Sequence, residues 1–130
     1  MGTLNKHELF QELRLPTEVV ELKSGTVIMT ELSGPDYIKI YSDPANRTTN
    51  EEGEEVLEMG RFQAALICYG AVDENGNRIF DDSDIETIKR GAQGPFLKLA
   101  EAARKLNGLT GEEEKNSDDN QPESPSIASV

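Results

Sequence analysis

Apolar positions along the chain change period several times, and each change marks an element. In "NKHELFQEL", Leu9, Phe10 and Leu13 fall on one side of a helix that Asn5 can cap, and Pro16 ends it. "EVVELKSGTVIMTEL" then alternates, with Val20 and Leu22 against Glu21 and Lys23, a turn at Ser24-Gly25, and Val27 and Met29 resuming. A period of two broken by a tight turn predicts a β-hairpin, which needs a helix against one face to be stable. Ser33 followed by Gly34-Pro35-Asp36 reads as a helix start, with Tyr37, Ile38 and Tyr41 sharing a face until Pro44. "ANRTTNEEGEE" has no apolar period and reads as a mobile loop of about ten residues. Val56, Met59, Phe62, Ala65, Leu66 and Tyr69 recur at spacings of three and four, which predicts the longest helix, about residues 54–70, with one buried face. A short helix capped by Ser83, with Glu86 completing a capping box, precedes Gly91. The last helix opens at Gly94-Pro95, turns Phe96, Leu99, Ala100, Ala103 and Leu106 inward, and closes at Gly108. Leu97 points off that stripe. The pattern predicts a mainly α, α+β fold: a small helical domain with an N-terminal β-hairpin.

Composition divides the chain at Thr110. Beyond it, six acids stand against one lysine, a net of −5, which leaves −7 of the total −12 on residues 1–109. With so few apolar residues the segment 110–130 cannot offset its ordering entropy, so a disordered acidic tail is expected after a domain at 1–109. A chain this acidic repels phosphate backbones and anionic lipid, which argues against nucleic-acid and membrane partners and favours a basic or hydrophobic protein partner. No apolar run approaches the roughly 20 residues that cross a bilayer. The start "MGTLNKHELFQEL" has neither an apolar signal core nor a myristoylation pattern, which points to an intracellular protein.

Candidate chemistry is sparse. One cysteine, Cys68, and one histidine, His7, can form neither an intrachain disulfide nor a histidine-based zinc cluster. Cys68 sits in the apolar run "FQAALICYG" and reads as a buried small hydrophobe, while His7 reads as a solvated helix residue. No phosphate-binding loop, nucleophile elbow or zinc-helix motif is present, so no enzyme and no cofactor are expected. "VDENGNRIFDDSDI", residues 72–85, imitates a calcium loop, with Asp73, Asn75, Asn77, Asp81 and Asp84 near ligand positions. A calcium loop needs glycine at its sixth position and glutamate at its twelfth. Here the glycine is fourth (Gly76), the sixth is Arg78 and the twelfth is Asp84. Asn75-Gly76 as a turn, Ile79 and Phe80 packing inward, and Asp81 to Asp84 capping the next helix account for the same residues without a metal.

Two stretches carry a family resemblance. "AALICYGAVDENGNRIFDDSDIETIKRGAQGPFLKLAEAARKLNGL" resembles the C-terminal half of the tail assembly chaperones of long-tailed bacteriophages. In that family an apolar helix leads into an Asp-x-x-Gly-x-x-x-Phe turn, an acidic helix start and a helix ending near "LNGL". "VELKSGTVIMTELSGPD" is similar to the family's hairpin and its step into a helix, so the likeness spans about residues 8–109. It implies a protein of the host cytoplasm, absent from the finished virion, that self-associates and binds the tape measure protein before the tail tube polymerises around it. It also implies a longer, frameshifted product that recruits the tail tube protein. "GEEEKNS" at 111–117 can be encoded by a purine-rich message on which ribosomes slip. Binding to an apolar helical partner would use apolar positions off the core stripes: Leu97 first, then Tyr37 and Ile40, each of which also fits a core position. A structural terminator or connector retained in the virion, a calcium-binding regulator, and an adaptor unrelated to phages are the alternatives.

Overall fold

The structure, a computed structural model, describes residues 2–109, so the acidic tail expected at 110–130 lies outside the described residues. The first helix, α1 (Lys6–Glu12), forms on local chemistry alone. Glu8 N–H donates to Asn5 Oδ1 at 2.8 Å and Asn5 N–H donates back to Glu8 Oε1 at 3.0 Å, a reciprocal cap. None of its residues is buried.

Strands β1 (Thr17–Glu21) and β2 (Thr26–Thr30) pair antiparallel from Thr17↔Thr30 to Glu21↔Thr26, as the alternation predicts. A third strand, β5 (Ala71–Val72), joins the other edge of β2, giving the order β1-β2-β5. Val20, Met29 and Ala71 are buried on the inner face of this sheet. Helix α2 (Gly34–Ser42) starts where Ser33 Oγ accepts from Asp36 N–H.

Residues 44–58 depart from the expectation. Instead of a mobile loop and the first turns of a long helix, a 3₁₀ turn (Pro44–Asn46) feeds an antiparallel pair, β3 (Arg47–Thr49) and β4 (Glu55–Leu57). Asn50 builds the turn between them: its Oδ1 accepts from the N–H groups of Glu52 and Glu54, and Gly53 takes φ +83°. Val56 therefore lies on a strand, and its spacing of three from Met59 only imitates a helical period. Helix α3 (Met59–Gly70) begins at Glu58, whose carboxylate caps Gly60 and Arg61.

A small acid-dependence follows from that cap. Lys89 Nζ lies 3.1 Å from Glu58 Oε1, and this contact, aided by the two capping N–H groups, holds the Glu58 carboxyl below its ordinary value against the opposing effect of burial. A depressed carboxyl adds stability above its unfolded pKa of about 4.3 and loses it as pH falls through the lower folded value. The urea midpoint of Glu58→Gln is expected to fall less than that of wild type between about pH 6 and pH 3. Equal falls in the two proteins would refute this role.

Helix α3 is the centre of the molecule. Phe62 and Tyr69 are buried as the stripe predicts, but so are Ala64, Ile67 and Cys68, so the helix is enclosed nearly all round. It packs against α2, α4 (Ile85–Lys89), α5 (Gln93–Leu106) and β2. The cap before α4 is also displaced from the expected Ser83 and Glu86. Asp81 and Asp84 make the capping box on a 3₁₀ turn (Asp82–Asp84), and the Ser83 hydroxyl donates to Asp81. Along α5, Ala100 and Ala103 are buried, with Phe96, Leu99 and Leu106 partly so. Gly108 at φ +74° lets Leu109 N–H reach Arg104 O at 2.6 Å and close the helix. Asn107 Oδ1 then accepts from Leu32 N–H at 3.0 Å, fixing the end of α5 to the segment between β2 and α2. The result is a small α+β fold: helices on a short three-stranded sheet that holds the early hairpin, with β3 and β4 as a separate pair.

Candidate interaction surface

The three residues expected to meet a partner occupy different environments. Leu97 is 48% exposed on the outer side of α5. Tyr37 is half-buried and packs on the core. Ile40 is 2% exposed, so its side chain is not available to a partner. Helix α2 is rotated from the face that Tyr37, Ile38 and Tyr41 suggested: Ile40 points in, and Ile38 is 65% exposed. The Tyr41 ring lies over the domain, stacked on Tyr37 (6.1 Å between centroids), edge-on to Phe62 (6.4 Å) and beneath the Arg47 guanidinium (4.7 Å). Outward apolar surface on α2 therefore comes from Ile38 and the rim of Tyr41.

Residues 72–85 fold as a turn and a cap. Asp73 Oδ1 accepts from Asn75 N–H at 2.8 Å and Asn77 N–H at 2.9 Å, and Gly76 supplies the positive φ. Asp73 and Asp81 thus spend carboxylate oxygens on backbone N–H groups. Among the described residues no three His, Cys, Asp or Glu side chains are grouped so as to hold a metal ion. The expected inward packing of Ile79 and Phe80 holds for Phe80 only; Ile79 is 54% exposed. Arg78 bridges to Val72 as a strand residue would, and the period of two sends Arg78 and Phe80 to one side and Ile79 to the other.

Arg78 has a role that sequence reading missed. Its guanidinium lies 4.0 Å from the Tyr69 ring centroid and donates to Asp82 Oδ1 and to Cys68 Sγ. Tyr69 Oη donates to Asp82 Oδ2, and Lys39 Nζ of α2 lies 3.7 Å from the same oxygen. Burial works against the Asp82 charge, but Arg78, Tyr69 and Lys39 together hold its carboxyl below the usual range. Cys68 is fully buried, donates to Asp81 O at 3.1 Å, and its thiol is pushed up by burial in spite of Arg78, so it lacks thiolate character. This group of side chains clamps the acidic turn to α2 and α3.

The remaining surface features are apolar. Phe10 and Leu13 on and beside α1 are more than 60% exposed, and Val19 on β1 is 60% exposed. His7 is exposed. No helix among the described residues is long and apolar enough to cross a membrane. Comparison with protein-family models, with curated proteins and with solved structures gives no match to this chain.

Proposed function

We propose that this protein is a tail assembly chaperone of long-tailed bacteriophages that works in the host cytoplasm. It binds the tape measure protein, keeps it soluble, and helps recruit tail tube subunits through a frameshifted longer product. The reading rests on the sequence resemblance over residues 8–109, and the order hairpin, helix, central apolar helix, acidic turn and terminal helix agrees with it. The observation that carries it physically is a set of large apolar side chains, on α1, α2, α5 and β1, left open on a domain of net charge −7. A long helical client with apolar stripes aggregates when those stripes meet water. A chaperone without nucleotide chemistry can only cover them, which takes apolar contact surface beneath a charged, solvated exterior. Leu97 and Ile38 provide contact surface without loss to the core, and the tail at 110–130 adds further negative charge.

Co-expression with the tape measure protein from the same genome tests the proposal. Wild-type chain is expected to hold that protein in the soluble fraction, and Leu97→Asp to shift most of it to the pellet while the variant itself stays folded. A tape measure protein equally soluble without this chain, with no complex recovered, overturns the reading. Recovery of the chain from purified virions would overturn it in favour of a structural tail component.

A further inference from the structure

We propose that Asn75 is a site of spontaneous covalent modification, losing its side-chain amide to become aspartate and isoaspartate, while the fold protects Asn107. These are the two asparagines of the sequence that precede glycine. Asn5, Asn46, Asn50 and Asn77 precede Lys, Arg, Glu and Arg, whose side chains obstruct the reaction. The backbone nitrogen of the following residue gives its proton to water and attacks the asparagine Cγ. A bond from that nitrogen to Cγ closes a succinimide ring, and the side-chain nitrogen leaves as ammonia. Water then opens the ring at one of its two carbonyl carbons. Breaking the bond to Cγ leaves aspartate in a normal backbone; breaking the bond to the backbone carbonyl carbon routes the main chain through Cβ and Cγ as isoaspartate. Water is the single co-reactant.

The two Asn-Gly pairs have nearly the same backbone. Gly76 takes φ +83° and Gly108 φ +74°. Each glycine N–H donates to the carbonyl three residues back, Gly76 to Asp73 O at 3.0 Å and Gly108 to Lys105 O at 3.2 Å. Neither glycine has a neighbouring atom within 4 Å of where a Cβ would stand, so both leave space for the ring. The asparagine side chains differ. Asn107 Oδ1 accepts from Leu32 N–H at 3.0 Å and Nδ2 donates to Ala103 O at 2.7 Å. Its amide is fixed at both ends, and Cγ cannot swing onto Gly108 N without breaking both bonds. The Asn75 side chain has no hydrogen-bond partner among the described residues, and residues 73–79 are all exposed. Attack there needs only the Gly76 bond to open, on a solvated turn where local opening costs little. The product also matters to the fold. Asp73 closes the turn by accepting from Asn75 and Asn77 N–H and by donating to Asn77 O at 2.8 Å. Isoaspartate adds a methylene to the main chain inside that closure, and aspartate adds a charge beside Asp73 and Glu74. Either change disturbs the setting of Arg78 over the Tyr69 ring and against Asp82.

The inference needs no client and so stands apart from the chaperone proposal. Incubation of the full chain for weeks in warm, mildly alkaline buffer tests it, folded in one arm and unfolded in urea in the other. Tryptic peptides 62–78 and 106–115, made after denaturation, separate the two sites for mass spectrometry. Methylation by a purified isoaspartyl methyltransferase reports the isoaspartate in each. In the folded chain Asn75 is expected to convert at least about tenfold faster than Asn107, a factor that two hydrogen bonds can supply. In urea the two sites should convert at similar rates, since the fold alone distinguishes them. Asn75→Gln should remove the isoaspartate signal of peptide 62–78. The modified folded chain, separated by its added negative charge on anion exchange, should be cut by trypsin after Arg78 several-fold faster than fresh protein. Equal folded rates at the two sites, faster loss at Asn107, or a folded Asn75 that persists while the unfolded one converts would each overturn the proposal. Unchanged cutting after Arg78 would overturn the release of that side chain.

Discussion

Phe62→Ala is expected to remove about 3–5 kcal/mol of the domain's folding stability. Phe62 is 1% exposed in the first turn of α3, with the Tyr41 ring edge-on at 6.4 Å and an interplanar angle of 80°. Truncation removes the transfer energy of a whole aromatic side chain and leaves a cavity that enclosed neighbours cannot fill, about 3–5 kcal/mol together. A domain of this size has about 5–15 kcal/mol to lose. Urea unfolding followed by circular dichroism should show a greatly lowered midpoint with an unchanged slope. Phe10→Ala provides the contrast: at 62% exposure in α1, the same chemical change is expected to alter the domain's own stability by less than about 0.5 kcal/mol. A Phe62→Ala loss below about 1 kcal/mol would mean that α3 is not the centre of the core.

The contrast between these two phenylalanines also shows what the sequence made legible. Local chemistry was readable: the Asn5 to Glu8 cap, the alternation across Ser24-Gly25, the Ser33 start of α2 and the Gly108 stop of α5 each depend on residues within a few positions. Which apolar stripe finds a partner is a long-range matter. The stripe of α1 is as regular as that of α5, yet one is bare and the other packed. Helix α2 has apolar residues at 37, 38, 40 and 41, an arc of about 160° at 3.6 residues per turn, so periodicity cannot choose which part of it faces inward. Packing against α3 chooses it, and Ile40 passes from a candidate contact to the core. At 44–58 the turn chemistry of Asn50 and Gly53 outweighs a chance helical spacing. Arg78 looked like a charge that spoils a calcium loop, because its partners Tyr69 and Cys68 become visible only when the chain has turned at Gly76.

Asn46→Ala is expected to cost about 2 kcal/mol, far more than its small side chain suggests. Asn46 is the one fully buried polar residue among those described, at 1% exposure. Its Nδ2 donates to Ile40 O at 2.8 Å, its Oδ1 accepts from Arg61 Nη1 at 2.9 Å, and its own carbonyl accepts from Glu58 N–H at 2.7 Å. Thus it ties the end of α2 to the start of α3 and seats a guanidinium whose side chain is only 16% exposed. Arg61 has little to fall back on: Nε lies 2.8 Å from Glu86 Oε2, but its N–H is not aligned for a hydrogen bond, which leaves charge attraction alone. Removing the amide leaves the Ile40 carbonyl with only the longer bond from Asp43 N–H at 3.3 Å, and strands one arm of the guanidinium away from water at about 1–3 kcal/mol. Asn46→Leu separates this cause from simple loss of volume. Leucine fills the space without satisfying either group, so it should be no more stable than alanine there. In a double-mutant cycle with Arg61→Met, the coupling should exceed about 1 kcal/mol, because the methionine variant no longer has a charge to strand. Near-native stability of Asn46→Leu, or additive losses in the cycle, would show that the amide only fills space and that the α2–α3 corner is held by its apolar contacts.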